Sequence, residues 1–495
     1  MAVNNDKTPD WAKNSIGYIC FVDAFASSVP DPQGKKGIYT GLAYGESIEK
    51  LLWHEKDPTL HHNSGFYGGD LKGAAYAVDY LQELGIDMVY LTPIFKALSN
   101  HKYDTLDHLS IDSHFGDIND FKDMVNVFHS KGIKVILDGV FNHTSSEHEW
   151  YKKAKSGDAK YKAMYEVNQE GYIMVWNGIE TLPVLNQENP DVIEYFYSGE
   201  NSVVKYWLKQ GADGWRLDVA ERLGKKTLER IRTAIKEIGE DKLLIGEVVE
   251  TYGKEWLNDG ELDGVMNYVF RGTTANFLTG KIDGNNYMNE LLKMYGEYPE
   301  EKLRASWNLI STHDTNRILY DVNNDESLFK IAVALQFTYP GSPVIYFGDE
   351  LGTTKGLKEE ENRMGLDWEV VTGYEKYSAG GPMDWGKVNR YNSFHEFYKH
   401  MIWLRKSFNA LKDGDFIEVC ALDNVIAFFR NNKDSCVLVI VNKGNDISVK
   451  LNIPEVVINR AKQLKCIYGG NGYLNPDKSV MDFYIGGKNV YIFAG

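Results

Sequence analysis

The stretch KVILDGVFNHT (Lys134–Thr144) starts as a short β-rich apolar run, Lys134–Leu137, and ends in polar side chains: Asp138, Asn142 and His143. A helical pattern, Ile118–Lys131, precedes it. Another, Val192–Gln210, follows it and leads into GWRL (Gly214–Leu217), a second run of the same kind that ends in Asp218. Strand, helix, strand in that order makes a βαβ unit and therefore a parallel sheet. The alternation continues outward in both directions. The strand candidates are Ile16–Val22, Met88–Leu91, Lys134–Leu137, Gly214–Leu217, Leu243–Ile245, Gly264–Tyr268, Trp307–Ile310 and Val344–Tyr346, and further helical patterns lie at Ala74–Leu84, Lys225–Ile238 and Ser327–Thr338. Eight such units predict an α/β fold, a closed (β/α)₈ TIM barrel, rather than an open doubly wound sheet. The open sheet would carry a glycine-rich phosphate turn after its first strand, and none follows Ile16–Val22.

Two departures from the alternation mark further domains. Residues 144–190 leave the third strand without a regular helix and are rich in aromatics (Trp150, Tyr151, Tyr161, Tyr165, Tyr172, Trp176), as expected of a small insertion domain. From residue 408 short alternating runs appear at Val425–Arg430, Cys436–Asn442, Ser448–Ile453, Met481–Ile485 and Val490–Phe493, separated by Asn and Gly turns. They predict an antiparallel β-sandwich. The expected division is 1–143 and 191–407 for the barrel, 144–190 for the insertion and 408–495 for the C-terminal domain.

Across 495 residues, 43% are hydrophobic and 25% charged, which is globular composition. Lys+Arg number 54 against 70 Asp+Glu, a net charge of −16. An acidic surface repels phosphate, so neither nucleic acid nor an anionic membrane is expected as a partner. The N-terminus lacks a basic segment followed by an apolar one, so no signal peptide is expected. The longest apolar stretch, Ile16–Val22, is too short to cross a bilayer, which needs about 20 residues. Four scattered cysteines form no metal or redox motif. Free thiols in a cytoplasmic protein account for them.

In a parallel barrel the C-terminal strand ends share one mouth. Strand three brings Asp138, Asn142 and His143 to it, strand four Arg216 and Asp218, strand five Glu247, strand seven His313 and Asp314. Taken singly, each has a bland explanation: an Asp as helix cap, a His as structural residue, an Arg in a surface ion pair. Several polar strand ends facing one pocket favour a carboxylate-based hydrolase or lyase. Asp218 and Glu247 could act as the two flanking carboxyls of a retaining glycosidase, which stand about 5–5.5 Å apart. Arg216, two residues before Asp218, points to the same side and is expected to keep Asp218 ionised. Neighbouring anions, Asp218 and Asp314, are expected to raise Glu247. His143 and His313 suit hydrogen bonds to sugar hydroxyls.

These segments resemble the conserved regions of the α-amylase family of glycoside hydrolases: DGVFNHT (Asp138–Thr144), GWRLDVAER (Gly214–Arg222), IGEVVE (Ile245–Glu250) and LISTHDTNR (Leu309–Arg317), in the family's order, with LPVLN (Leu182–Asn186) like its extra region in the insertion. The resemblance extends from FYGGDLKG (Phe66–Gly73) through VIYFGDELG (Val344–Gly352) to the C-terminal sheet. It implies that Asp218 is the nucleophile, Glu247 the acid/base and Asp314 the third acid. By the same resemblance Arg216, His143, His313 and Tyr103 surround the glucose at the cleaved bond, Asp138 supports Arg216, and Glu359 and Arg363 stand one subsite further out. Trp176 is a candidate for stacking on sugar.

FYGGDLKG and HDTNR are similar to cyclomaltodextrinase, neopullulanase and maltogenic-amylase members. The implied substrate is an α-1,4-linked α-glucan oligosaccharide of the maltodextrin or starch type, hydrolysed with retention. A 4-α-glucanotransferase using the same double displacement is the alternative, and a non-catalytic glucan-binding protein a remote one. Those members carry an N-terminal β domain, which is not expected here because the chain starts almost at the first barrel strand. After the nucleophile they read Ala-Asn-Glu, where this chain has Ala220-Glu221-Arg222. No cofactor is expected to be required. Asn142 would be a metal ligand only if calcium were bound, and Val184 stands where calcium-dependent members place an aspartate. Oligomeric state is left open by the sequence.

Overall fold

Eight parallel strands close on one another in chain order: β1 Gly17–Cys20, β2 Met88–Leu91, β3 Lys134–Gly139, β4 Gly214–Leu217, β5 Leu243–Val248, β6 Gly264–Asn267, β7 Trp307–Asn308 and β8 Ser342–Tyr346, with β8 pairing back to β1. The computed structural model describes residues 7–29, 42–43, 46–47, 49–50, 65–249, 253–257, 261–354, 383–388, 391–470, 474 and 479–495. All eight expected runs supply barrel strands. β1 stops at Cys20, short of the apolar run, because Val22–Phe25 turns helical.

The register sets the site. Arg216 of β4 lies beside Asp138 of β3 and Ile245 of β5, and Leu217 lies beside Gly139 and Gly246. One residue further on, Asp218 and Glu247 therefore stand at matching heights. Gly246 has a steric reason: a Cβ there would meet Leu262 Cδ1 at 2.5 Å and Ala220 Cβ at 3.0 Å.

Helix ends follow local chemistry. α1 (Val78–Leu84) ends at Gly85, whose φ of 98° lets its own N–H and that of Ile86 return to the Leu81 carbonyl at 3.0 and 2.9 Å. α2 (Ile118–Ser130) starts in a reciprocal capping box between Asp117 and Asp120. The pattern read as one helix over Val192–Gln210 is instead three pieces: Pro190–Ile193, a π-helical turn at Glu194–Ser198, and α3 (Val203–Lys209). Apolar periodicity carries across the break, but the chain becomes extended at Gly199. α4 (Lys225–Ile238) and α5 (Glu326–Thr338) match their patterns to within a residue.

The segment 144–190 carries two short helices, Glu149–Lys155 and Ala159–Lys162, and is tied by isolated bridges, among them His143 to Val184. It seats on the barrel through an aromatic cluster. The Phe196 ring meets His108 edge-on at 4.8 Å, and His148 lies 6.4 Å from His108. His108 Nε2 donates to the Val140 carbonyl at 2.9 Å, and its buried Nδ1 has no partner among the described residues.

The C-terminal region is two antiparallel sheets. β9 (Asp415–Ala421), β10 (Val425–Asn431), β11 (Cys436–Asn442), β12 (Ile447–Asn452), β13 (Lys465–Tyr468), β14 (Val480–Ile485) and β15 (Asn489–Ala494) pair as β9-β10-β11-β15-β13 and β12-β14. The five-stranded sheet is apolar on both faces. Val437, Val439 and Val441 join the barrel's core, while Leu438 and Ile440 join Val449 and Leu451 of the second sheet. Two fully buried arginines lock the end of α5, Arg430 from β10 of this sheet and Arg405 from the helix Ser393–Ser407. Arg430 donates to the Thr338 carbonyl at 2.7 Å and the Gly414 carbonyl at 2.9 Å, and Arg405 donates to Phe337 at 2.8 Å. Thr338 and Phe337 end α5, so two cations fill carbonyls the helix leaves open. Burial pushes Arg430 down to about 10. Among the described residues no helix is long and apolar enough to cross a membrane.

Arg430→Ala is expected to lower unfolding free energy by about 3 kcal/mol, read from urea denaturation, because several buried carbonyls lose a charged donor together. A loss below about 1 kcal/mol would show that the lock contributes little. A second expectation concerns acid. Burial pushes His108 down to about 3 and His148 down to about 4. An unfolded histidine titrates near 6.5, so between there and the folded value the unfolded chain binds the extra proton. Stability should fall as pH drops from about 6.5 towards 4, by about 1.4 kcal/mol per pH unit for each histidine. His148→Asn, which keeps a helix-capping side chain, is expected to flatten the slope of urea midpoint against pH. An unchanged slope would remove His148 as a contributor.

Candidate active site

Arg216 sits at the centre of the barrel mouth and is fully buried. Its Nη1 donates to Asp138 Oδ1 and Oδ2 at 2.8 and 3.0 Å and to Asp218 Oδ1 at 3.1 Å. Its Nη2 lies 2.9 Å from Glu247 Oε2 as an ion pair. One guanidinium thus gathers carboxyls from three consecutive strands. Met266 of β6 packs its sulfur 3.2 Å from Nε. The Tyr90 ring of β2 lies 5.7 Å from the guanidinium carbon, and its hydroxyl donates to Asp138.

Tyr103 lies on the loop after β2. Its hydroxyl donates to Asp138 Oδ2 at 2.9 Å and so accepts from His313 Nε2 at 2.8 Å, the two rings stacking at 5.7 Å. That same Nε2 lies 2.9 Å from Asp314 Oδ2. The carbonyl of Tyr103 accepts from His143 Nε2 at 3.1 Å. Beyond His143 stands the half-buried Trp176, ring centres 5.7 Å apart, and Asn142 Nδ2 contacts His143 Nδ1 at 3.2 Å. Asp138, Arg216, Asp218, Glu247, Tyr103, His313, Asp314, His143 and Trp176 are therefore one connected group. Glu359 and Arg363 lie outside the described residues.

The two central carboxyls are held differently. Glu247 Oε2 accepts from the Val219 N–H at 2.9 Å as well as facing Arg216, and Oε1 stands 3.4 Å from the Tyr268 hydroxyl. Asp218 is anchored through Oδ1 to Arg216, and its Oδ2 accepts no hydrogen bond among the described residues. The expectation that Arg216 would single out Asp218 for ionisation needs correction. Burial pushes both groups up, Asp218 well above the ordinary carboxylate range, and Arg216 opposes the rise in both. Glu247 and Asp138 add to the rise at Asp218, and Asp314 adds to it at Glu247. Burial and the neighbouring carboxyls thus shift Asp218 and Glu247 upward together, and the two titrate as a unit.

Four contributors escaped the sequence reading: Tyr90, Met266, Tyr268 and the Val219 N–H. Tyr90 and Met266 lie inside runs read only as strands, and Tyr268 directly follows β6, so strand-end position was a usable signal for it. The Val219 N–H had none. It is aimed by a backbone at φ 39°, ψ 50°, a left-handed conformation that a β-branched side chain seldom adopts.

Comparison with known proteins agrees with this geometry. The family model for the α-amylase catalytic domain matches residues 20–412. Neopullulanase 2 of Thermoactinomyces vulgaris is 34% identical over 464 residues, covering 90% of this chain and 72% of that protein. Intracellular maltogenic amylase of Bacillus subtilis is 30% identical over 473 residues, covering 92% and 73%. Among solved structures, the cyclic α-maltosyl-(1→6)-maltose hydrolase of Arthrobacter globiformis, in complex with that cyclic sugar, superposes with a TM-score of 0.79 at 27% identity over 99% of this chain and 100% of its own. With the closed barrel, the clustered carboxyls and these matches together, the chain belongs to the α-amylase family of glycoside hydrolases.

Proposed function

We propose that this protein hydrolyses α-1,4-glucosidic bonds of maltodextrins with retention of configuration. The observation that carries the reading is the pair Asp218 and Glu247 on one guanidinium, at matching heights on adjacent strands, each with one oxygen anchored. Asp218 presents its unanchored Oδ2 to the anomeric carbon. As that bond forms, the glycosidic C–O bond breaks and Glu247 gives its proton to the departing oxygen. Glu247 then takes a proton from water, whose oxygen attacks the same carbon and releases Asp218. The step starts with Asp218 as carboxylate and Glu247 as acid. Arg216 acts on both, lowering the cost of the anion wherever it sits. Asp314 and His313, linked through Tyr103 to Asp138, form the wall that receives sugar hydroxyls, and Trp176 beside His143 offers a ring face to an apolar sugar surface.

The relatives' names, neopullulanase and intracellular maltogenic amylase, support an α-glucan oligosaccharide as substrate and the cytoplasm as location, as do the four free thiols. Calcium is not part of the proposal. Val184 stands where calcium-dependent members of the family place an aspartate, and its side chain has no oxygen to offer.

Asp218→Asn is expected to lower kcat on maltotriose by at least about 10³-fold with the thermal midpoint nearly unchanged. Near-parental turnover would remove Asp218 as nucleophile. In the parent reaction, chromatography should show only sugars shorter than maltotriose, and longer products would move the assignment to glucan transfer. Activity is expected to survive EDTA. Complete loss, reversed by added calcium, would overturn the metal-free reading.

A further inference from the structure

Lys102 combines two unfavourable features next to Tyr103. Its backbone is left-handed, φ 68°, where glycine is the least strained residue, and its side chain is completely buried. The ammonium is held by Asp112 Oδ2 at 2.9 Å and lies over the Phe66 ring at 4.8 Å and the Phe115 ring at 5.4 Å. Asp112 is itself fixed by His114 Nδ1 at 2.6 Å and by the backbone N–H groups of Ala97 and His114 at 3.0 and 2.9 Å. The Lys102 N–H donates to Ser99 Oγ at 3.0 Å, and its carbonyl accepts from Thr105 Oγ1 at 3.3 Å. Backbone and side chain are thus pinned from both sides, at the residue that delivers Tyr103 to Asp138, His313 and His143.

We infer that Lys102 is a positioning residue for the reaction: its ion pair with Asp112 holds the 99–105 turn so that the Tyr103 hydroxyl and carbonyl both reach their partners. A turn needing only its shape would be served by glycine. A buried ammonium in this conformation is accounted for by what it clamps. Since the chemistry depends on groups that Tyr103 orients, a shift of about 1 Å there costs about 10²-fold in rate while leaving the pocket able to bind.

The inference rests on the proposed glucan hydrolysis, so the parent and Asp218→Asn are assayed on maltotriose first. A failed glucan reading shows there, before any Lys102 variant is made. The decisive experiment is a double-mutant cycle between Lys102→Met and Tyr103→Ala, with folding followed by circular dichroism. Lys102→Met alone is expected to lower kcat by about 30- to 100-fold with KM within about threefold. In the Tyr103→Ala background the same change is expected to lower kcat by less than about threefold further. Equal losses in both backgrounds, or kcat within twofold of the parent in a folded Lys102→Met, overturn it. Should Lys102→Met not fold, Asp112→Asn, which removes the anion of the pair and keeps its shape, carries the same cycle under the same criteria.

Discussion

A single buried guanidinium organises the mouth of this barrel. Arg216 touches Asp138, Asp218 and Glu247, with Met266 and the Tyr90 ring packed against it, and Tyr103 joins His313 and His143 to it through Asp138. Its position is a consequence of the sheet: an in-register parallel pairing puts Arg216 beside Asp138, and a one-residue slip of β4 would turn the side chain to the opposite face. The cation in turn makes the carboxyl cluster tolerable, because Asp138, Asp218 and Glu247, all buried, would be strongly unfavourable with no counter-charge. One guanidinium does not balance three carboxyls, and burial with mutual repulsion shifts Asp218 and Glu247 upward, the direction an acid–base pair requires.

A second constraint lies in the backbone. Val219, immediately after Asp218, occupies the left-handed region at a cost of roughly 1–3 kcal/mol for a β-branched residue. In that conformation its N–H points at Glu247 Oε2. Two adjacent residues therefore serve both carboxyls, one as a reactive group and the other as the donor that fixes its partner. Lys102 repeats the pattern on the opposite side of the mouth. At both places a left-handed non-glycine residue adjoins a site side chain.

The strands were legible because barrel strands are apolar on both faces and read as short continuous runs between helices. The candidate residues were legible because a parallel barrel sends its strand ends to one mouth, so Asp138, Asp218, Glu247 and His313 could be gathered without knowing any distance. What sequence could not supply was contact across strands. The spacing of Arg216 and Asp218 places both on one side of β4, but nothing in it states that the guanidinium also spans to Glu247 on β5. Spacing also could not show the burial that pushes both carboxyls up, nor that Arg216 opposes the rise in both rather than in Asp218 alone. The helix over 192–210 was misread because apolar periodicity persists through a π-helical turn that backbone hydrogen bonding does not. β9, DFIEVCA, does not alternate, since its polar residues stand three apart and a bulge lies between Glu418 and Cys420, and β13 is only four residues long.

The peripheral domains share one physical task. The loop after β3 lays His143 along the mouth, the insertion adds Trp176 beside it, and at the insertion's base His148 and His108 pack among aromatic rings. The C-terminal sheet holds α5, the helix that leads into β8, through Arg430, and Arg405 of the helix Ser393–Ser407 holds it as well. β8 pairs with β1, and so the last strand to close the barrel is restrained from outside. A cluster of like charges tends to push its strands apart, and it tolerates little movement because hydrogen bonds of 2.8–3.1 Å define it. Rigid support at the barrel's closure and a seated insertion at its mouth are what allow Asp138, Asp218 and Glu247 to remain around one arginine.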